Sequence, residues 1–498
     1  MTVPGLKIDT AAATPVYRQI AEGIRAAVES GRLRPGTQLP PTRDLAKQLG
    51  VNRNTVIAAY DLLVEEGSAA GHTGRGTFLV GPKPPAAPLG GDPWFGAFAR
   101  AVEGPGVGSL LNVYRVATSH EGISLAGGYP ASELMPVEGF ARAMSRVLAE
   151  RGAEVLSYGP TAGYAPLRET IAAEMGCDAS SILVTSGSQQ ALEIAFRALV
   201  DPGDVVLVEE PTYTGAISVL AALDARLVGV PLDDEGIRPD LLALAMERHR
   251  PRMLYVQPTF HNPTTRVMSE ARRRELLAIA ARYRCLIVED DWGGDLRFSG
   301  GKLPSLWQLD GGRHVLYVST FSKKLLPGLR IGWIAAPPEV FDRLLALKQI
   351  EDCGSSPLVQ AALHAFLTAG GQEAHLERVR AAYRARAQAM DEAIRAHFPE
   401  GARWSVPGGG LFLWVTLPES VDGDELFSAA RERGVLIGRG SLFHVGGGGR
   451  NTLRLTFASA TEEQIRSGVA ILGDLLQQRW PRARAGGRTR ELEAVPIL

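Results

Sequence analysis

The chain has 498 residues, of which 45% are hydrophobic and 21% are charged, and its formal net charge is -1. This length predicts two or more domains with sizeable cores. The three cysteines are widely spaced, which argues against a disulfide framework or a metal site, and no long apolar run predicts a membrane span, so we expect a cytoplasmic protein.

Residues 1–80 have the pattern of a small helical domain. Apolar residues recur at helical spacing over residues 15–31. Thr42 is the expected N-cap of a short helix over residues 43–49. A second helix is expected over residues 52–67, after the turn Leu-Gly-Val. Nine Lys or Arg against seven Asp or Glu make this segment slightly basic, which suits contact with nucleic acid.

Two helices joined by such a turn predict a helix-turn-helix, whose second helix offers its N-terminal side chains to the major groove of DNA. A glycine-rich hairpin follows at residues 71–78, where a basic tip can approach the sugar-phosphate backbone. The string from Val16 to Phe78 resembles the GntR-type winged helix-turn-helix. The groove-facing positions and the resemblance together predict DNA contacts by Arg43, Asn52, Arg53, Asn54, Thr55, Thr73, Gly74 and Arg75.

The rest of the chain divides by composition. Residues 81–112 are rich in Pro, Gly and Ala, which predicts a stiff linker. Over residues 113–478, short apolar runs alternate with helical stretches, as in a mainly parallel sheet covered by helices on both faces. We expect a large subdomain over about residues 150–345 and a smaller C-terminal α/β subdomain over about 346–478. The Arg-rich segment 479–498 has the composition of a disordered tail.

Four motifs in this body follow one another in an informative order. Asn-Pro-Thr begins at Asn262, and Asp290 ends a predicted strand, at the edge where open α/β sheets place their ligands. Further on, Ser-Thr-Phe-Ser-Lys ends at Lys323, and Pro-Gly-Leu-Arg ends at Arg330. This order resembles the cofactor site of fold-type I enzymes that use pyridoxal 5'-phosphate (PLP). Over about residues 113–478, the chain resembles the class I/II aminotransferases.

PLP requires a lysine for its aldehyde, an anion at its pyridine nitrogen, a donor to its phenolic oxygen and a positive phosphate site. We assign the lysine role to Lys323, the anion to Asp290 and the donor to Asn262. Lys323 is chosen because the family uses the lysine directly after the serine. Lys324 is expected at the surface, and strand alternation turns Asp291 away from the site. Tyr213 is expected to cover one face of the PLP ring. The phosphate is expected to be bound by Ser188, Gln189, Thr320 or Ser322, and Arg330.

Residues 1–80, the head, and residues 113–478, the body, together resemble the MocR/GabR-type transcription regulators. Such regulators bind PLP through a lysine, respond to an amine or amino acid, and are typically head-to-tail homodimers. Arg454 matches the arginine that clamps a substrate carboxylate, and Gly128 lies in a small-residue loop of the same pocket. Trp292 stands where these regulators usually have a tyrosine near the cofactor oxygen, and Thr265 replaces the glycine common after Asn-Pro-Thr.

The sequence therefore predicts a transcription regulator that senses an amino acid or amine through PLP. Its expected partners are that effector and double-stranded DNA with paired half-sites, bound by a homodimer without membrane contact. The alternative is an active PLP-dependent aminotransferase whose head only tethers it, and a decarboxylase or lyase on the same scaffold is a third hypothesis. The asparagine at position 262 makes residual catalysis chemically possible.

Overall fold

The computed structural model describes residues 8, 14–29, 33, 37–65, 68–72, 76–79 and 122–481. The chain divides into two compact units, Met1–Phe98 and Ala99–Leu498, which we call the head and the body. The predicted linker over residues 81–112 lies outside the described residues, and so does the predicted tail 479–498 from residue 482 onwards. Its first residue, Arg479, ends the last described helix.

The described part of the head has three helices followed by a two-stranded antiparallel sheet. Apolar side chains from all three helices, among them Ile20, Leu45 and Leu63, form its buried core. The second and third helices form the predicted helix-turn-helix, and the hairpin follows as the wing. These elements are α1 (Val16–Glu29), α2 (Thr42–Leu49), α3 (Arg53–Glu65), β1 (Ala69–His72) and β2 (Gly76–Leu79).

The expectation that Thr42 caps α2 is wrong. Pro41 holds the N-cap position and makes no side-chain capping bond, so Thr42 is the first helical residue. The Thr42 hydroxyl instead accepts a hydrogen bond from Arg53 Nε at 3.3 Å, which links α2 to the start of α3. At that start, Asn52 Oδ1 accepts the backbone N–H of Asn54 at 2.9 Å, as expected of a residue that satisfies a free helical donor.

The body is built on an eight-stranded sheet whose strand order is β4-β11-β10-β9-β8-β5-β6-β7. The five central strands, from β10 to β6, run parallel, whereas β11 runs antiparallel to both β10 and β4. The predicted mainly parallel sheet is therefore confirmed. Its strands are β4 (Ile182–Thr185), β5 (Val205–Glu210), β6 (Arg226–Asp233), β7 (Gly236–Ile237), β8 (Met253–Val256), β9 (Leu286–Asp291), β10 (Val315–Thr320) and β11 (Gly332–Ala335).

Both faces of this sheet are buried, which explains the continuous apolar runs in the sequence. Successive side chains of a strand point to opposite faces. In β5, Leu207 accordingly belongs to one apolar cluster, whereas Val206 and Val208 belong to the cluster on the other face. Helices contribute side chains to both clusters, so the strand positions between them are apolar.

A second, five-stranded sheet has the order β12-β13-β15-β14-β3. Its edge strand β3 comes from the start of the described body and pairs in parallel with β14. This smaller sheet therefore draws on residues far outside the 346–478 range expected for the small subdomain. The strands are β3 (Ile123–Leu125), β12 (Arg403–Trp404), β13 (Phe412–Thr416), β14 (Val435–Arg439) and β15 (Thr452–Thr456).

Helices connect and cover the strands of the body. Those of the large sheet are α4 (Val137–Val155), α5 (Ala165–Met175), α6 (Ser188–Leu199), α7 (Thr214–Ala222), α8 (Pro239–His249), α9 (Glu270–Tyr283), α10 (Leu306–Asp310), α11 (Pro338–Asp352) and α12 (Pro357–Thr368), and those near the small sheet are α13 (Gly371–His397), α14 (Gly423–Glu432) and α15 (Glu462–Arg479). Among the described helices, none is long and apolar enough to span a membrane.

Candidate functional site

The carboxyl end of β9 carries two aspartates in different surroundings. Asp290 is 2% exposed, and its Oδ2 accepts hydrogen bonds from Tyr255 OH (2.7 Å) and Gln257 Nε2 (2.8 Å). Asp290 Oδ1 is buried and has no hydrogen-bond partner among the described residues. Burial raises the pKa of Asp290 to about 6, although the two hydrogen bonds lower it. Asp291 Oδ2 accepts a bond from Tyr317 OH (2.9 Å) instead.

Lys323 lies three residues beyond β10, next to the end of β9 in the sheet. Its Nζ donates to Gly128 O at 2.9 Å and lies 5.7 Å from the centre of the Tyr129 ring. Burial lowers the pKa of Lys323 to about 8, and the positive charges of Arg454 and Arg330 act in the same direction. A larger fraction of this amine is therefore neutral, which is the nucleophilic form.

The expectation that Lys324 lies at the surface is wrong. This side chain is 4% exposed, and its Nζ forms an ion pair with Asp295 Oδ2 at 2.7 Å. It also lies 4.6 Å from the centre of the Phe321 ring and 3.9 Å from Glu174 Oε1. Burial alone would lower the pKa of Lys324, but the Asp295 and Glu174 carboxylates hold it above its ordinary value. Lys324 therefore stays charged.

Donors converge at the N-terminus of α6, which begins at Ser188. Gly187 precedes it with φ 88°, and a Cβ there would lie 2.6 Å from Arg330 Nη2, so a side chain would displace the arginine. Arg330 Nη2 donates to Ser186 O at 3.1 Å, and its Nη1 lies 3.5 Å from Ser322 Oγ. A helix N-terminus beside a guanidinium is a favourable site for an anion such as phosphate.

Three further predicted residues, Thr320, Gln189 and Tyr213, lie close to this anion site. Thr320 Oγ1 lies 3.0 Å from Ser322 Oγ and accepts the backbone N–H of the same serine at 3.0 Å. Gln189 Oε1 accepts a bond from Tyr213 OH at 3.2 Å, and its Nε2 donates to Gly215 O at the same distance. The Gln189 side chain therefore holds Tyr213 in place, and it is Tyr213 that faces the cavity described below.

Arg454 on β15 reaches the opposite side of the same region. Its Nη1 donates to Asn262 Oδ1 at 2.9 Å, and its Nη2 donates to Ala126 O at 2.9 Å. The guanidinium lies 4.2 Å from the centre of the Phe412 ring, and its Nε is buried without a partner among the described residues. Burial lowers the pKa of Arg454 to about 10. Both of these acceptors are neutral, so the buried cation retains capacity for an anion.

One cavity of about 170 Å³ unites these groups. It brings together the predicted residues Gly128, Ser188, Tyr213, Asn262, Asp290, Lys323 and Arg454, and its wall also includes Gly127, Tyr129, Thr214, Gln257, Trp292 and Phe412. Ser322, Thr320 and Arg330 do not line it. Arg330 bonds to Ser186 O, two residues before Ser188, and its Nη1 lies 3.5 Å from Ser322 Oγ. Segments separated by more than 300 residues in the chain therefore meet at one site, because both sheets contribute to its wall.

In the head, the predicted DNA-contacting side chains of the two helices are solvent-accessible. Arg43, Asn52, Arg53 and Asn54 are exposed or half-buried, and Thr55 is half-buried. They lie on α2, on the turn and on the first residues of α3, the part of a helix-turn-helix that enters the major groove. The predicted wing residues Thr73, Gly74 and Arg75 lie outside the described residues, between the paired strands β1 and β2.

Comparison with known proteins matches the body and the head to one family each. Residues 122–472 match the family model "Aminotransferase class I and II", and residues 16–79 match "Bacterial regulatory proteins, gntR family". A Rhizobium meliloti protein named "Probable rhizopine catabolism regulatory protein MocR" is 34% identical over 439 residues, which cover 86% of this chain and 87% of that protein. The chain belongs to the MocR-type regulators of the GntR family.

The body of this MocR-type regulator also resembles working enzymes. The 2-aminoadipate transaminase of Thermus thermophilus is 40% identical over 394 residues, which cover 78% of this chain and 98% of the enzyme. The crystal structure of LysN, the alpha-aminoadipate aminotransferase of Thermus thermophilus, complexed with N-(5'-phosphopyridoxyl)-L-leucine, matches with a TM-score of 0.73 at 38% identity. That match covers 77% of this chain and 98% of LysN.

Sequence reasoning missed several residues of this MocR-type regulator. Tyr255 and Gln257 fix the Asp290 carboxylate, yet both lie at a different strand end and carry no motif of their own. Their place at the end of β8, next to β9, was the available signal. Asp295 was also missed, since a carboxylate partner for Lys324 becomes visible only once the loop after β9 is placed in space.

Proposed function

We propose that this MocR-type regulator binds DNA through its head and senses an amino acid or amine through PLP held in its body. One observation carries the cofactor part of the proposal. A buried carboxylate with an oxygen that lacks a partner among the described residues, Asp290, and a lysine of lowered pKa, Lys323, line the same cavity. That pairing suits a ring nitrogen that must stay protonated and an aldehyde that must meet a neutral amine.

The remaining groups of the cavity fit PLP as well. Ser188, Ser322 and Arg330 supply donors for the phosphate, and Tyr213 supplies an aromatic face for the ring. Asn262 Oδ1 accepts a hydrogen bond from Arg454, so the Asn262 Nδ2 amide is left to donate to the phenolic oxygen. When bound, PLP supplies an electron-withdrawing ring that stabilises negative charge at an attached carbon.

We assign the covalent attachment to Lys323 and exclude Lys324 on electrostatic grounds. Lys324 is held as an ammonium by Asp295, and an ammonium has no lone pair with which to attack an aldehyde. Leaving that ion pair would strand the buried Lys324 charge without its partner, which is unfavourable. The Lys323 amine instead donates to the neutral backbone carbonyl of Gly128, which it can leave at a much smaller cost.

The effector we propose is a primary amine with a carboxylate or similar anion. Arg454 is a buried guanidinium whose Nε lacks a partner among the described residues, and charge-assisted bonds to a carboxylate would satisfy it. Gly128 packs against the ring of Phe412, over which the guanidinium lies, and a Cβ at that residue would come within 2.8 Å of the ring. LysN was crystallised with the phosphopyridoxyl derivative of leucine, an adduct of this chemical class.

For DNA, we propose a homodimer that binds paired half-sites, with α3 in the major groove. Leu156, Tyr158 and Ile350 are 69%, 94% and 76% exposed on the body. The loop that follows Leu156 and Tyr158 meets the end of α11 that carries Ile350, because Thr161 contacts Gln349. An exposed apolar group of this kind is typical of a subunit interface. Sedimentation of the wild type and of Tyr158→Glu would test it, and a variant that stayed dimeric would contradict this interface.

An active aminotransferase is the second candidate function. Its specific support is the 40% identity to a 2-aminoadipate transaminase, together with Arg454 and Asn262 in one cavity. Two assays on the purified full chain separate the candidates. A regulator shows salt-dependent binding to its own upstream DNA that an amino acid alters, whereas an aminotransferase turns over an amino acid with 2-oxoglutarate. Turnover without specific DNA binding, with and without PLP, would overturn the regulator proposal.

A further inference from the structure

Trp292 lines the cavity, and its indole Nε1–H has no role in the proposed PLP site described above. It lies one residue beyond β9 and two beyond Asp290, and it lines the same cavity as Lys323 and Asn262. The side chain is 7% exposed, and its indole Nε1–H is buried without an acceptor among the described residues. A buried donor without a partner is destabilising, so such groups in native proteins usually meet water or a ligand.

Packing holds this indole in one position. Its ring lies 5.5 Å from the Phe412 ring at a tilt of 43°, and both rings belong to the same buried apolar cluster. Gly410 passes close to its edge, since a Cβ there would lie 3.6 Å from Trp292 Cη2. The orientation of the N–H is therefore fixed before any ligand arrives, which lowers the entropic cost of the bond it makes.

Of the polar groups of PLP, the phenolic oxygen is the one left as an acceptor for the Trp292 N–H. Asp290 suits the ring nitrogen, Lys323 suits the aldehyde, and Arg330 with the α6 N-terminus suits the phosphate. The phenolic oxygen remains, and it carries negative charge with room for more than one donor. Asn262 Nδ2 is one donor, and Trp292 Nε1–H is a second donor that lines the same cavity and has no other acceptor among the described residues.

We propose that the Trp292 indole N–H is a second hydrogen-bond donor to the phenolic oxygen of PLP. This inference rests on the proposed binding of PLP and adds a residue that positions the cofactor and tunes its charge. An indole N–H donates but does not accept, and it keeps its proton throughout the pH range of the protein. Trp292 is thus a fixed donor that cannot exchange a proton with the effector.

The electrostatic consequence has a definite sign. With PLP bound through Lys323, the linking nitrogen would share a proton with the phenolic oxygen. A donor to that oxygen withdraws negative charge, so the nitrogen holds its proton less tightly and its pKa falls. Loss of the Trp292 donor should raise that pKa by about one unit, a tenfold change in the proton dissociation constant.

The test is a pH titration of the visible absorbance of the PLP-bound full chain. Trp292→Phe keeps an aromatic ring and removes the N–H, and Trp307→Phe is the matched control, a buried tryptophan of α10 outside the cavity. We expect the transition to move to higher pH in Trp292→Phe alone. An unchanged transition in a variant that still binds PLP would overturn the inference while leaving PLP binding intact. A wild type without any visible band would instead overturn the proposed function.

A second measurement uses the wild-type side chain, in case Trp292→Phe does not fold. The seven tryptophans are labelled with 5-fluorotryptophan, and fluorine spectra are recorded with PLP and with its 3-deoxy analogue, which lacks the phenolic oxygen. We expect one resonance to move with PLP and to move much less with the analogue. Trp292 also borders a second polar cavity of about 50 Å³ that contains Asp291 and Lys324. Identical spectra with both compounds would place the donor there and reject the proposal.

Discussion

Lys323 and Lys324 are consecutive residues whose amines lie in different cavities and carry opposite pKa shifts. The Lys323 amine lines the cavity that contains Asp290 and Arg454, where burial lowers its pKa to about 8. The Lys324 amine lines a second cavity, where Asp295 holds its pKa above the ordinary value. Both residues lie in the turn after β10, and one step along the chain separates an amine whose pKa is lowered from one that an ion pair keeps charged.

Lys323→Ala should abolish the visible absorbance of the PLP-treated protein, because Lys323 is the lysine that lines the cavity. Lys324→Met should keep the band. Removing one partner of a fully buried ion pair costs about 3–5 kcal/mol. Because Asp295 is 24% exposed, we expect a smaller loss here, seen as unfolding at a lower temperature. The double variant Lys324→Met with Asp295→Leu should recover part of that loss. A band that survived in Lys323→Ala and vanished in Lys324→Met would reverse the assignment.

Asp290→Ala should weaken PLP binding and eliminate any half-reaction with an amino acid, because the ring nitrogen would lose the charge that keeps it protonated. Charge-assisted hydrogen bonds are worth about 1.5–3 kcal/mol, so we expect affinity to fall about ten- to a hundredfold. Fluorescence titration with PLP measures this. Asp291→Ala is the control, since its carboxylate bonds to Tyr317. Equal losses in both variants would remove the distinction between the two aspartates.

Arg454→Gln should weaken the spectral response to amino acids and leave the response to simple amines without a carboxylate unchanged. The loss should be about ten- to a hundredfold, as for other charge-assisted bonds. Arg450→Gln is a matched control on the same segment, because Arg450 is exposed and bonds to Asp422. A response to amino acids that is equal in Arg454→Gln and in the wild type would reject the carboxylate clamp.

Glu209 predicts how stability depends on pH. Burial raises its pKa to about 8, from 4.5 in the unfolded chain. The folded state therefore binds a proton that the unfolded state releases between these values. The resulting stability is complete below pH 4.5 and is lost as pH rises towards 8. His261 Nε2 lies 3.4 Å from Glu209, but burial lowers the pKa of His261 to about 3, so the imidazole is neutral and supplies no compensating charge.

Glu209→Gln mimics the neutral acid and should flatten this pH dependence. Without PLP, we expect its free energy of unfolding, relative to that of the wild type, to be about 1–3 kcal/mol larger at about pH 8.5 than at about pH 5.5. Denaturant titrations at both pH values measure the difference. Glu275→Gln, at an exposed position of α9, should show no such change. A wild type whose stability is constant over this range would contradict the raised pKa.

Arg53→Ala should cost about 1–3 kcal/mol on the specific DNA site and relax base preference at one position, if its guanidinium reads a guanine. Arg75→Ala should weaken binding to all sequences alike and reduce the salt dependence by about one unit, if it contacts phosphate. Gel shifts on the upstream region and on mutated half-sites, at several salt concentrations, distinguish the two effects. The same effect from both variants would contradict the assignment of α3 to the major groove.

Much of this site was predictable, because its residues fall at strand ends and helix starts that the sequence marks. Asp290 and Lys323 follow buried apolar runs, and Gly187 precedes a helix at a position that favours glycine. The environment of Lys324 was not predictable, because Asp295 and Glu174 approach it from other segments. The same holds for the bond between Arg454 and Asn262, which joins the two sheets across 192 positions of the chain.

The strand β3 determines where the body can be cut for separate expression. Leu125 is fully buried in the core of the small sheet, and Ile123–Leu125 covers the backbone edge of β14. A fragment that starts at residue 150, the expected beginning of the large subdomain, would expose that edge and leave a gap in the core. A fragment of the body suitable for crystallisation should therefore begin before Gly122, so that it retains the strand that completes the small sheet.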